Sequence, residues 1–200
     1  MEARNTLQRI VAIFAILVGA WGGAYAGPVY TYRGDFDLSI PANPDDTSGW
    51  MADAVIEVSD HHIISDLDIS ISLTHENFID LQIILQSPAG KVVVLNPALN
   101  MALLNIGGYA EIVFDDEAEV PIECAVAPLQ GPYRPVEPLA VFHRENVLGK
   151  WRLKIQDWWA PDVGTLNSFE LMIITPEPAT ATLLTLGAGL LLLLRPRRCR

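Results

Sequence analysis

The sequence predicts an all-β protein, an antiparallel jelly-roll β-sandwich, and three observations carry that expectation. Apolar residues alternate with polar ones at Leu67, Ile69, Ile71, Leu73, again at Leu81, Ile83, Leu85, and again at Trp151, Leu153, Ile155. A period of two buries one face of a strand and leaves the other wet. These runs are short and separated by Gly- and Pro-rich segments, the spacing of sandwiches and jelly rolls. No stretch of the body shows a convincing amphipathic helical period, and no internal repeat is evident.

Taken in order, the chain opens with Arg4 and Arg9 before the apolar stretch Ile10 to Ala20, followed by small residues ending Ala24-Tyr25-Ala26. A basic region, an apolar region and an Ala-x-Ala site are the layout of a secretory signal peptide, with cleavage expected after Ala26. Thr31 to Asp37 reads either as a mobile lead-in or as the first strand. Pro41 to Asp53 is a Pro- and Asp-rich loop. Strands follow at 67–73 and 79–85. Ser87-Pro88-Ala89-Gly90 fits a tight turn, with Pro early and Gly late. Short strands follow at Lys91–Leu95 and Ala110–Phe114. Glu117 to Pro138 is the longest loop and holds many prolines; a loop that long is usually functional or pinned. The series closes with strands at 151–155 and 169–173.

The C-terminus has its own grammar. Pro176-Glu177-Pro178 stops the last strand. An uncharged, leucine-rich run reaches Leu194, and Arg195, Arg197, Arg198 and Arg200 follow. Such a cluster is held on the cytoplasmic side. A membrane span needs about 17–25 residues, and counting from Ala179 makes this run barely long enough. The three ordered parts resemble the PEP-CTERM sorting signal of certain bacteria. That resemblance implies recognition of Pro176, Glu177 and Pro178 by a membrane protease, an exosortase.

The two ends distort the composition. The 200-residue chain carries 13 basic and 24 acidic residues, but residues 27–194 hold 7 and 23 of them, a net of −16. A body so acidic repels nucleic acid and anionic lipid, because phosphate binding needs clustered Lys and Arg. It suits calcium, cationic surfaces or solubility. Cys124 is alone in the body, so no disulfide framework or CxxC metal signature exists. The thiol reads as a small buried apolar group.

Several pieces of the body line up in order. They are Ile40-Pro41, Ile56 to Ser59, Thr74-His75, Phe78-Ile79-Asp80-Leu81, Ser87-Pro88-Ala89-Gly90 and Phe114-Asp115-Asp116. Tyr133-Arg134-Pro135, Gly149-Lys150-Trp151, Asp157 and Gly164-Thr165-Leu166 complete the series. Together they resemble the P domain (P/Homo B domain) of proprotein convertases and many bacterial secreted proteins, over roughly Phe36 to Thr175. His75, Asp80, Pro88, Gly90 and Trp151 fall on the family's structural motif; Ile79 departs from it, standing where the family has Gly. The resemblance implies a jelly roll without catalysis of its own, a stabiliser of a neighbouring subtilisin-like protease. This chain has no room for that protease.

Three chemistries are weighed against this reading. His61, His62, His75 and His143 could serve as a base with Asp60, Asp66 or Asp80, but no nucleophile signature such as Gly-x-Ser-x-Gly occurs. Zinc is disfavoured, since adjacent His61 and His62 point to opposite faces of a strand. Calcium is the more plausible metal, with loop carboxylates Asp115, Asp116, Glu117, Asp157 and Asp162 as its expected ligands. Trp151 belongs to the core. Trp158 and Trp159 could stack on sugar rings, although burial under the Pro-rich loop is the stronger expectation.

The expected organisation is a signal peptide over 1–26, a P-like domain over 27–175 and a sorting tail over 176–200, with a transmembrane helix at about 179–194. The expected partners are the Sec translocon, signal peptidase, an exosortase, the membrane through the C-terminal helix and extracellular polysaccharide, with no nucleic acid. The expected location is the inner membrane as a precursor, then the surface or matrix of a Gram-negative-type bacterium. Two other roles are a carbohydrate-binding module and an accessory domain for a separate secreted protease.

Overall fold

Alternating side chains build two β-sheets that close on one hydrophobic core. The computed structural model describes residues 27–41, 49–159 and 161–176. The expected signal segment, most of the expected sorting tail and part of the 41–53 loop lie outside the described residues. Among those described there is no α-helix and no helix long and apolar enough to cross a membrane.

Ten strands occur in the order β1 (Val29–Ile40), β2 (Gly49–Trp50), β3 (Ala54–Val58), β4 (Asp66–His75), β5 (Leu81–Gln86), β6 (Val92–Asn96), β7 (Gly108–Phe114), β8 (Gln130–Tyr133), β9 (Gly149–Asp157) and β10 (Gly164–Ile174). One sheet runs β1-β10-β4-β7-β8 and the other β2-β9-β5-β6, with β3 also pairing β9. All pairings are antiparallel except β7 with β8, which is parallel. That pair departs from the fully antiparallel arrangement expected from sequence.

The alternation performs as period two requires. Leu67, Ile69, Ile71 and Leu73 of β4 face Leu81, Ile83 and Leu85 of β5 and Trp151, Leu153 and Ile155 of β9 in a single core. Trp151 is fully buried, packs edge-on to Phe142 at 5.3 Å and 75° between ring planes, and donates its indole N–H to the Val147 carbonyl at 2.8 Å. Burying so large a ring removes apolar area from water, and the donated N–H leaves no polar atom unsatisfied.

Of the two readings of Thr31 to Asp37, the structure has the first strand: the segment lies within an edge strand, and the 36–37 region interrupts its register with β10. Other boundaries differ from expectation. Ile79 belongs to a 3-10 turn (Phe78–Asp80) that precedes β5. The expected turn after β5 forms with Gly90 N–H donating to the Ser87 carbonyl at 2.9 Å and Gly90 at φ +87°. The Pro-rich loop after β7 contains β8 and a 3-10 turn, Ile122–Cys124, and a second 3-10 turn, Leu139–Phe142, follows it.

Candidate functional site

One end of the sandwich gathers most of the motif residues. β4 ends there at His75, β9 at Asp157, and β10 begins there at Gly164, which pairs with His75. The His75 and Asp157 side chains are 0% and 1% exposed, with Nε2 3.5 Å from Oδ2. The other ring nitrogen, Nδ1, meets the Asn77 carbonyl at 2.9 Å and the Asn77 N–H at 3.2 Å. Which of the two it engages follows from the tautomer. Asp80, one of the carboxylates the sequence offers the histidines, lies near enough for the His75 charge to act on it, and Asp157 stands against the ring.

The Asp157 and Glu76 carboxylates and the Asp80 main chain hold a loop. Asp157 Oδ1 accepts from the Trp159 N–H at 3.0 Å, the Asp80 carbonyl accepts from the Trp158 N–H at 3.0 Å, and Glu76 accepts from the Val163 N–H at 3.2 Å. Burial raises the affinity of both Asp80 and Asp157 for a proton. The neighbouring Asp157 and Asp162 charges add to the effect at Asp80. Asp80 Oδ2 is buried without a hydrogen-bond partner.

The pinned loop carries its aromatics outward. Trp158 is 48% exposed and Trp159 66%. Burial under the Pro-rich loop is therefore corrected: the main-chain anchors at Asp80 and Asp157 turn both rings to solvent. Trp50, which sequence reasoning passed over, is also exposed and pairs with Gln156 beside them. Cys124 is exposed as well, against the expectation of a buried thiol.

The five carboxylates expected to share calcium are divided between two ends. Asp115, Asp116 and Glu117 follow β7, level with Asp68 of β4, while Asp157 and Asp162 sit level with His75. Seven strand residues separate those levels, about 23 Å. Asp116 is committed to the fold: its two oxygens accept the N–H groups of Leu139 and Ala140 at 2.9 and 2.8 Å, capping the 3-10 turn there. Asp115 accepts the Glu117 N–H at 2.7 Å. Among the described residues no group of three or more His, Cys, Asp or Glu side chains is arranged to hold a metal ion.

Asp68 is the unexpected member of this second group. Burial, then the charges of Asp115, Asp66 and Glu117, push its carboxyl up to about 7. In the sequence it reads as one more outward polar residue of β4. Pro88 and Gly90 form the turn described above, and Pro88 lies over Gly149. The rings His61, His62 and His143 stand apart from the His75 pair. His62 stacks on Tyr30 at 3.7 Å, and His143 lies 3.9 Å from Asp66. Among the described residues the polar contacts of His75 are Asn77 and Asp157, with no hydroxyl or thiol in attacking position. Of the expected sorting box only Pro176 is described; it is exposed just past β10, while Glu177 and Pro178 lie outside the described residues.

No protein-family model matches the chain, and no curated protein matches it. Among solved structures it is similar to the serine protease of Aeromonas sobria, with 16% identity, a TM-score of 0.45 and coverage of 78% of this chain. The complex of that protease with its chaperone gives 16% identity, a TM-score of 0.45 and 81% coverage. This chain spans 29% of the length of those matched chains, and likeness at this level assigns neither activity nor partner.

Proposed function

We propose that the chain is an exported, non-catalytic protein of the bacterial cell envelope or its matrix, sorted through the Pro176-Glu177-Pro178 tail. Its body would be a P-like jelly roll that serves binding. The observation that carries this reading is the contrast at the His75 end. The only His–Asp pair sealed from water has no nucleophile beside it among the described residues, while Trp158 and Trp159, anchored through the Asp80 carbonyl and the Asp157 carboxylate, face solvent. Buried groups there hold a shape; the accessible groups are suited to contact.

Mass spectrometry of surface-exposed protein tests the sorting half of the proposal. The expected species ends at or near the box. Surface protein that keeps its intact hydrophobic tail overturns it.

A second reading is favoured by the exposure of the two tryptophans: a carbohydrate-binding module. Glycan-array binding that disappears in Trp158→Ala/Trp159→Ala supports it, and undiminished binding removes it. Calcium enters the proposal only through Asp80 and Asp162, whose adjacent like charges a cation would neutralise. At metal about 100-fold above its Kd a rise in Tm of at least about 5 °C is expected. No rise removes calcium from the account.

A further inference from the structure

Residues 27–194 hold seven basic side chains, and three of them stand together. Lys150, Arg152 and Lys154 occupy alternate positions of β9, and the residues between and beyond them, Trp151, Leu153 and Ile155, are buried. All three cations therefore lie on the outer face of the sheet. β9 is its central strand, with β2 and β3 on one side and β5 on the other. Arg152 stands between Val55 and Gln86, Lys154 beside Ile84, and Gln156 between Trp50 and Gln82. The face thus presents a strip: Trp50, Gln156 and Gln82 at one end, then cations in steps of about 7 Å with Gln86 beside the middle one, over about 20 Å in all.

The strip is accessible and loosely paired. The three side chains are 53%, 36% and 33% exposed, and their acidic neighbours Glu57 and Asp53 stand at 3.9, 3.6 and 3.9 Å. Separations beyond hydrogen-bond range between exposed groups contribute little. Of the other four, Lys91, Arg33 and Arg134 are tied down, and Arg144 lies off β9. Lys91 donates to the Val141 carbonyl at 2.7 Å and meets Glu145 at 2.9 Å; Arg33 and Arg134 also donate hydrogen bonds within the fold.

We propose that this face binds a carboxylated polysaccharide. Arg152 matches a carboxylate with two parallel N–H donors, and the lysines supply point charges on either side. The glutamines exchange hydrogen bonds with hydroxyl groups. Trp50, 46% exposed, offers its ring to a sugar face. A polymer with charge on successive sugars fits a linear row of cations. The acidity of the remaining body repels it elsewhere, confining it to this strip. The proposal deepens the matrix reading by naming the ligand class, and it rests on that reading only for where the ligand is met.

Full-length chain, purified in detergent, is titrated with polygalacturonate, with the same polymer after carboxyl reduction, and with vesicles containing anionic lipid. Binding to polygalacturonate is expected, weakening as salt rises from about 0.05 to about 0.5 M. Lys150→Gln/Arg152→Gln/Lys154→Gln should bind at least about tenfold more weakly. Should that variant melt early, Lys150→Gln/Lys154→Gln gives the same reading with Arg152 kept. Trp50→Ala should weaken binding with its salt dependence preserved, and Arg33→Gln should bind as the parent does. Equal affinity for the reduced polymer, undiminished binding by the glutamine variants, or capture of vesicles with polygalacturonate ignored would each overturn the proposal. Tail processing is read separately: an exported, cut chain that ignores the polymer sinks this inference alone, and a cytosolic, uncut chain that binds it sinks the sorting reading alone.

Discussion

Asp116 shows how a motif can be legible while its role is not. Two adjacent aspartates after β7 suggest a cation, yet Asp116 spends both oxygens on the N–H groups of Leu139 and Ala140. Those contacts join residues 23 and 24 positions apart, a distance no local pattern discloses. Asp116→Ala should lower stability by about 1–3 kcal/mol in urea unfolding, with Asp116→Asn recovering part of it. An unchanged midpoint would show that water replaces the cap. Asp68 makes the opposite case. Its folded carboxyl titrates at about 7 against an ordinary 3.8, so the folded state holds a proton that the unfolded state releases. Stability from that proton is full below about 4 and is lost as pH rises toward 7. Asp68→Asn, neutral at every pH, should melt higher than the parent at pH 8 and equally at pH 3.5. Parallel Tm–pH curves for the two proteins would exclude Asp68 as the source of the slope.

At the level of elements, strands with both a period and a clean end are the ones the residues disclose. β4 and β9 alternate without interruption, and both stand where their alternation predicts. β8 hides behind Gly131 and Pro132, which read as turn residues, because its pairing with β7 is a tertiary event. β3 is only five residues long, and its apolar Ala54-Val55-Ile56 start blurs the alternation that the structure displays. The Trp158–Val163 loop was legible as a loop, but its outward rings depend on anchors in β9 and the 78–80 turn. Two substitutions separate anchor from display. A methyl group on Gly164 would press on the Thr74 carbonyl and the His75 ring, so Gly164→Ala should cost about 1–3 kcal/mol. Trp158→Ala/Trp159→Ala removes exposed rings and should change stability by no more than about 0.5 kcal/mol. Chemical denaturation measures both; a large loss in the tryptophan variant would mean the rings pack rather than display.

For the whole molecule, the described sandwich closes just ahead of the proposed sorting box. Its buried hydrophobic cluster runs from Ile40 to Ile173. β10 pairs with β1 and β4 through to Ile174, and the Thr175 N–H closes on the Pro28 carbonyl at 3.1 Å. Chain entry and exit therefore lie side by side, with Pro176 exposed immediately beyond. The proposed sorting needs an accessible segment, and Pro176, exposed two residues past the end of β10, is the part of the proposed box that the structure describes. In cells that carry an exosortase, Pro176→Ala/Glu177→Ala/Pro178→Ala should leave the precursor at full length in the membrane fraction, while the parent is shortened. Released parent should melt cooperatively within about 2 °C of the detergent-held precursor, because the described core is drawn from residues 40–173. Normal shortening of the alanine variant would show that the box is not what the processing enzyme reads, and a released body that has lost its cooperative melt would place part of the fold's support beyond residue 176.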